Sequence, residues 1–83
     1  MSYRSYRITV GQNQWLIAEY LGKTGRQSLW QVTESHRLPQ IKAGDMLRQD
    51  HKGMFVAYSD ADATRPSYRL PSHTQYEGHY EEE

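Results

Sequence analysis

The feature that most limits what this chain can fold into is a two-residue rhythm of apolar and polar side chains, cut at intervals by glycine. Tyr6-Arg7-Ile8-Thr9-Val10 alternates cleanly, which puts Tyr6, Ile8 and Val10 on one face of a strand and Arg7 and Thr9 on the other. Gly11-Gln12-Asn13-Gln14 reads as a turn, Trp15 to Leu21 as a second segment, and Gly22-Lys23-Thr24-Gly25 as another turn. Ser28 to Glu34 follows, with Trp30 and Val32 on a shared face. The first thirty-four residues therefore predict a three-stranded meander. Trp15, Ala18 and Leu21 also fit one face of a helix that Gly22 would cap, but the two glycine-bearing turns and the similar flanking segments favour a strand.

Arg37-Leu38-Pro39 interrupts the rhythm, because proline cannot donate to a ladder and restrains the residue before it. Ile41 to Leu47 then has the form of a Gly44-Asp45 corner leading into a strand, and His51-Lys52-Gly53 reads as a hairpin turn returning through Met54 to Tyr58. Ser59 to Pro66 signals a loop, and Tyr68-Arg69-Leu70 a last short strand. The expected architecture is a mainly β domain over 1–71, a small antiparallel meander or SH3- or OB-like barrel of about five strands. Its core would use Tyr6, Ile8, Val10, Ile17, Leu21, Trp30, Val32, Ile41, Leu47, Phe55 and Val56. Residues 72–83 contain no aliphatic side chain and read as a flexible, disordered acidic tail, ordered only by a partner.

Eighty-three residues suffice for one thin core, so association with another protein or a second copy is expected to help. With no cysteine, disulfides and thiolate metal sites are excluded, and a cytoplasmic setting is the expectation. The longest apolar run, Trp15-Leu16-Ile17-Ala18, is far short of a membrane-spanning helix, and Met1 to Arg7 lacks the apolar stretch of a signal peptide. The formal charge is zero, yet Glu77, Glu81, Glu82 and Glu83 hide a body with ten basic and six acidic side chains.

No motif points to catalysis or to a cofactor. Gly22-Lys23-Thr24 evokes a phosphate-binding loop, but the glycine such a loop needs upstream is Ile17 here. Asp60 and Asp62 could chelate a hard cation but lack the further oxygen ligands of a calcium loop, and His36, His51, His73 and His79 have no metal-ligand spacing. The candidate binding residues are basic. Arg4 and Arg7 lie in the tandem triplet Ser2-Tyr3-Arg4-Ser5-Tyr6-Arg7, where a strand places them on opposite faces and an extended three-per-turn arm on one. Lys23, Arg26, Arg37 and Lys42, with His36, would gather if the Gly22 turn and the Arg37 to Lys42 link lay at the same sheet edge; Arg48 completes the set. These features suit a non-enzymatic accessory or regulatory module that contacts another protein, one already on nucleic acid included.

Residues Ile17 to Leu47 also resemble the winged-helix excisionases and related small phage regulators. Ile17 to Gly22 is similar to their first helix, Lys23-Thr24 to the turn, Ser28 to Glu34 to the recognition helix, and Arg37 to Lys42 to the approach to the wing. The resemblance implies direct DNA binding in transcription regulation. Arg26, Gln27, Gln31 and Arg37 would read the major groove, and Lys42 and Arg48 would reach phosphates.

Overall fold

A computed structural model describes residues 5–59 and 64–80, with side chains through Glu77. Arg4, the Asp60–Asp62 pair and Glu81–Glu83 lie outside the described residues. The chain forms seven strands: β1 (Ser5–Gly11), β2 (Gln14–Thr24), β3 (Gln27–His36), β4 (Met46–Gln49), β5 (Phe55–Tyr58), β6 (Pro66–Arg69) and β7 (Gln75–Tyr80). They make one antiparallel sheet in the order β6-β5-β4-β3-β2-β1-β7. The domain is mainly β, as the alternation predicts.

Two expectations about secondary structure change. The described residues contain no helix, and Ile17 to Leu47 is occupied by β2, β3 and β4, so the winged-helix resemblance does not survive. Its candidate recognition helix, Ser28 to Glu34, lies within β3, where Trp30 and Val32 point inward and Gln31 and Thr33 outward. β-branched Val32 and Thr33 suit that extended backbone better than a helix. The second change concerns the expected disordered tail, of which Gln75–Tyr80 is β7, paired along β1 from Thr9 opposite Gln75 to Ser5 opposite Tyr80. Backbone hydrogen bonding to β1 supplies what the missing aliphatic side chains cannot.

The sheet curls so that its inner face closes on itself. Ile8, Val10, Leu16, Ala18, Trp30, Val32, Leu47, Phe55 and Ala57 fill that interior, and Leu38, Ile41 and Leu70 join from connecting segments. Tyr6, Tyr20 and Tyr68 pack against this core, half-buried. Ile17 and Leu21, expected inside, are on the other side of β2, and Val56 is only half-buried beside the fully enclosed Phe55 and Ala57.

Turn chemistry fixes the hairpins. Asn13 adopts φ +60° between β1 and β2, a left-handed conformation that asparagine tolerates. Gly25, at φ +64° in the first central position between β2 and β3, suits a type II′ turn. At the far end of β3, the link to β4 folds inward: Leu38 and Ile41 plug the sheet, Ser35 Oγ donates to the Ile41 carbonyl at 2.8 Å, and the Lys42 amide donates to Asp45 Oδ2 at 2.9 Å. The Gly44-Asp45 corner is seated by the Gly44 amide on the Val32 carbonyl and the Val32 amide on the Asp45 carbonyl.

The sheet stays open between β6 and β7 for a topological reason. Each antiparallel step reverses the strand, so β6 and β7 both run opposite to β1, and joining them would make a parallel pair. Parallel neighbours need a crossover of about a dozen residues or more. Only residues 70–74 link β6 to β7.

Candidate binding surface

The β2–β3 and β4–β5 hairpins stand side by side at one mouth of the curled sheet. Ser28 of β3 lies opposite both Lys23 of β2 and Gln49 of β4, and this row of side chains rims the opening. Asp50 builds the second hairpin: its Oδ1 accepts the Lys52 and Met54 amides, both at 2.9 Å, while the Gly53 amide donates to the Asp50 carbonyl. The Met54 amide above all lowers the Asp50 carboxyl from its ordinary pKa of 3.8; it outweighs partial desolvation and is helped by the Lys52 amide and the charges of His51 and Lys52. Asp50 is thus an anion already engaged by its own turn.

Between the hairpins lies a groove of about 520 Å³, lined by Lys23, Arg26, Ser28, Gln49, His51 and Tyr76, together with Asp50 and two glycines. Lys23 and Arg26 are exposed, and neither has an ion-pair partner among the described residues. Tyr76 arrives from β7 and closes one wall. It remains 47 % exposed although its ring meets Tyr6 at 5.6 Å, Trp30 at 5.8 Å and Phe55 at 6.4 Å between centroids. Tyr20 extends the cluster at 5.3 Å from Trp30, in the edge and tilted geometries that aromatic quadrupoles favour. Cationic and amide donors at the rim, with an aromatic wall beside them, are equipped to hold a carboxylate and the apolar group next to it.

The predicted basic residues separate into groups. Lys23 and Arg26 reach this mouth, but Arg37 and Lys42 lie at the opposite end of β3, around a second hollow of about 470 Å³ that they share with Ser35, Leu38, Pro39, Ile41 and Ala43. Ten extended residues separate the ends by roughly 30 Å, in a molecule whose longest extent is 34 Å, so the expected single cluster does not form. Arg37 itself adopts φ +60° where the chain leaves β3, and its carbonyl accepts Gln14 Nε2 at 3.2 Å.

Arg7 and Arg48 occupy the outer face. The Arg7 guanidinium sits 4.8 Å from the Trp15 ring centroid, and Trp15 stacks on His36 at 4.8 Å and 9°. Arg48 lies 5.4 Å from the Tyr58 ring and donates through Nη1 to Gln27 Oε1 at 3.0 Å, so its charge is held against the sheet. Ser28, Gln49, His51 and Tyr76 were not expected at a site. The hairpin holding His51 is readable from its glycine, but the approach of Tyr76 depends on the curl of the whole sheet and left no local signal.

Among the described residues, no three of the His, Asp and Glu side chains gather where they could hold a metal ion, and no helix is long and apolar enough to cross a membrane. Compared with known protein families, curated proteins and solved structures, the chain matches none of them.

Proposed function

We propose that this chain is a non-enzymatic binding module that contacts another protein, and that its working surface is the mouth between the β2–β3 and β4–β5 hairpins. The ligand class is an extended acidic segment carrying an aromatic or aliphatic residue beside its carboxylates. One observation supports this above others: among the described residues, Lys23 and Arg26 stand without an ion-pair partner at the rim of a groove whose one described carboxylate, Asp50, is bound by its own hairpin amides. A rim of this kind steers an anionic partner and orients it, while the exposed ring of Tyr76 supplies contact area at low entropic cost.

The test is titration of the full chain with short acidic peptides containing tyrosine or leucine, followed by backbone amide shifts. Shifts should concentrate on Lys23–Ser28, Gln49–Gly53 and Tyr76, and Lys23→Glu with Arg26→Glu should weaken binding by about tenfold or more, since truncating or reversing charges at a recognition rim costs on the order of 1–2 kcal/mol. Shifts gathered instead around Arg37 and Lys42, or a preference for single-stranded nucleic acid over the peptides, would overturn the reading.

A further inference from the structure

The direction of β7 fixes where the residues after it begin. Tyr80, at the end of β7, lies opposite Ser5 of β1, and Ser5 lies opposite Glu19 of β2. Because β7 is antiparallel to β1, it runs in the same sense as β2, towards the β2–β3 hairpin and away from the Arg37 and Lys42 end. Glu81-Glu82-Glu83, outside the described residues, therefore follow on from the end of the sheet that carries the groove between the hairpins.

Reach and charge select what these glutamates can meet. From the level of Tyr80 to Lys23 is two strand spacings across and four residues along, about 16 Å at roughly 4.8 Å per strand and 3.3 Å per residue. Three extended residues cover about 10 Å, and a glutamate and a lysine side chain bridge the remainder. The hollow at Arg37 and Lys42, at the far end of β3, is out of range. Near Tyr80 the described charges sort by face. Glu19, outward beside buried Ala18, sets a carboxylate on the outer face level with Ser5, and Arg7 there lies over the Trp15 ring and opposite Glu77. The mouth instead offers Lys23, Arg26, His51 and Lys52, all exposed. Lys23 and Arg26 have no ion-pair partner among the described residues, and Asp50 is held by its own hairpin amides.

We infer that Glu81, Glu82 and Glu83 lie against Lys23 and Arg26 of their own chain and compete with acidic partners for the groove. The inference rests on the groove reading above and names its regulation: glutamates following a tyrosine share the chemistry of the acidic segment proposed to bind there. An exposed ion pair contributes little by itself. A segment tethered within three residues of the sheet, however, meets the rim at an effective concentration in the millimolar range. Its occupancy is partial and screened by salt, and it weakens partner binding by about threefold to tenfold.

The test compares the full chain with a variant carrying Glu81→Gln, Glu82→Gln and Glu83→Gln together, which removes the charges and keeps the side-chain shape. Without any peptide, the backbone amide shifts of residues 23–28 and 49–53 should differ between the two proteins at low salt. The difference should vanish in about 1 M salt and be independent of protein concentration. Lys23→Glu with Arg26→Glu should erase it as well. With a short acidic peptide containing tyrosine, the neutral variant should bind about threefold to tenfold more tightly at low salt. Groove amides that ignore the substitutions, a difference that grows with protein concentration, or equal peptide affinities would overturn the inference and leave the groove reading standing. Peptide binding by neither chain, with the groove amides still moved by the substitutions, would sustain the contact within the chain and overturn the proposed ligand class instead.

Discussion

Trp30 shows how one side chain joins the core to the groove. It is 2 % exposed, and its indole packs against Tyr6, Tyr20, Phe55 and Tyr76 with centroid separations between 5.3 and 6.3 Å. Its Nε1 is buried and has no hydrogen-bond partner in the described protein. The ring therefore stabilises by area and aromatic contact, while its N–H is desolvated without return. Trp30→Ala should cost about 3–5 kcal/mol through the cavity it opens. Trp30→Phe should cost far less, about 1–2 kcal/mol, because it keeps an aromatic body and removes the orphan donor, whose desolvation alone is on the order of 1–3 kcal/mol. Urea titrations of the three proteins measure the difference, and equal losses for the two variants would mean that Nε1 is not an unpaid donor.

At the scale of the element, β2 explains why the strands were legible and one of their faces was not. β1 carries apolar residues at every second position only, so its inward face, Tyr6, Ile8 and Val10, can be read directly from the alternation. In β2, Trp15, Leu16, Ile17 and Ala18 are all apolar, and alternation cannot choose between the two faces. Register decides instead: Leu16 lies opposite buried Ile8, which sends Leu16 and Ala18 inward and leaves Trp15 and Ile17 outside. Two irregularities then shift the pairing with β3, between Ile17 and Ala18 and between Tyr20 and Gly22. Bulges of this kind break the parity rule that sequence patterning relies on, and Leu21 falls at the second one, 49 % exposed. Leu16→Ala should accordingly cost about 2–5 kcal/mol and Leu21→Ala no more than about 0.5 kcal/mol, an ordering opposite to the one the sequence pattern suggests. Thermal melts of the pair would contradict the assigned register if Leu21→Ala proved the more damaging.

For the whole molecule, the strand least visible in sequence is the one that covers the edge of β1 and walls the groove. β7 has no aliphatic side chain, and its order rests on pairing with β1 at the other end of the chain, a contact no local window contains. The candidate site was only half legible for the same reason: Lys23 and Arg26 announce themselves by charge, whereas Tyr76 reaches them only because the sheet curls. Across the seam, the link of residues 70–74 is pinned at several points. Leu70 is buried and its amide donates to the Phe55 carbonyl, the Thr74 amide donates to the Pro71 carbonyl, and His73 Nε2 lies 2.8 Å from the Val10 carbonyl, which can only accept. A chain ending at Pro71 would lose the β1 ladder, the His73 bond and the Tyr76 ring together, and would expose β1 as a raw edge. Had residues 72–83 been a solubilising tail, their removal would leave the melting temperature within a degree or two. As a structural strand, their loss should lower it by about 10 °C or more, since each kcal/mol shifts a domain of this size by roughly 4–8 °C. Tyr76→Ala should fall between the full chain and the truncation, because it keeps the β7 backbone on β1 and removes only the ring. A calorimetric scan of the three proteins resolves that order, and a truncated chain melting with the full one would return β7 to the status of a tail.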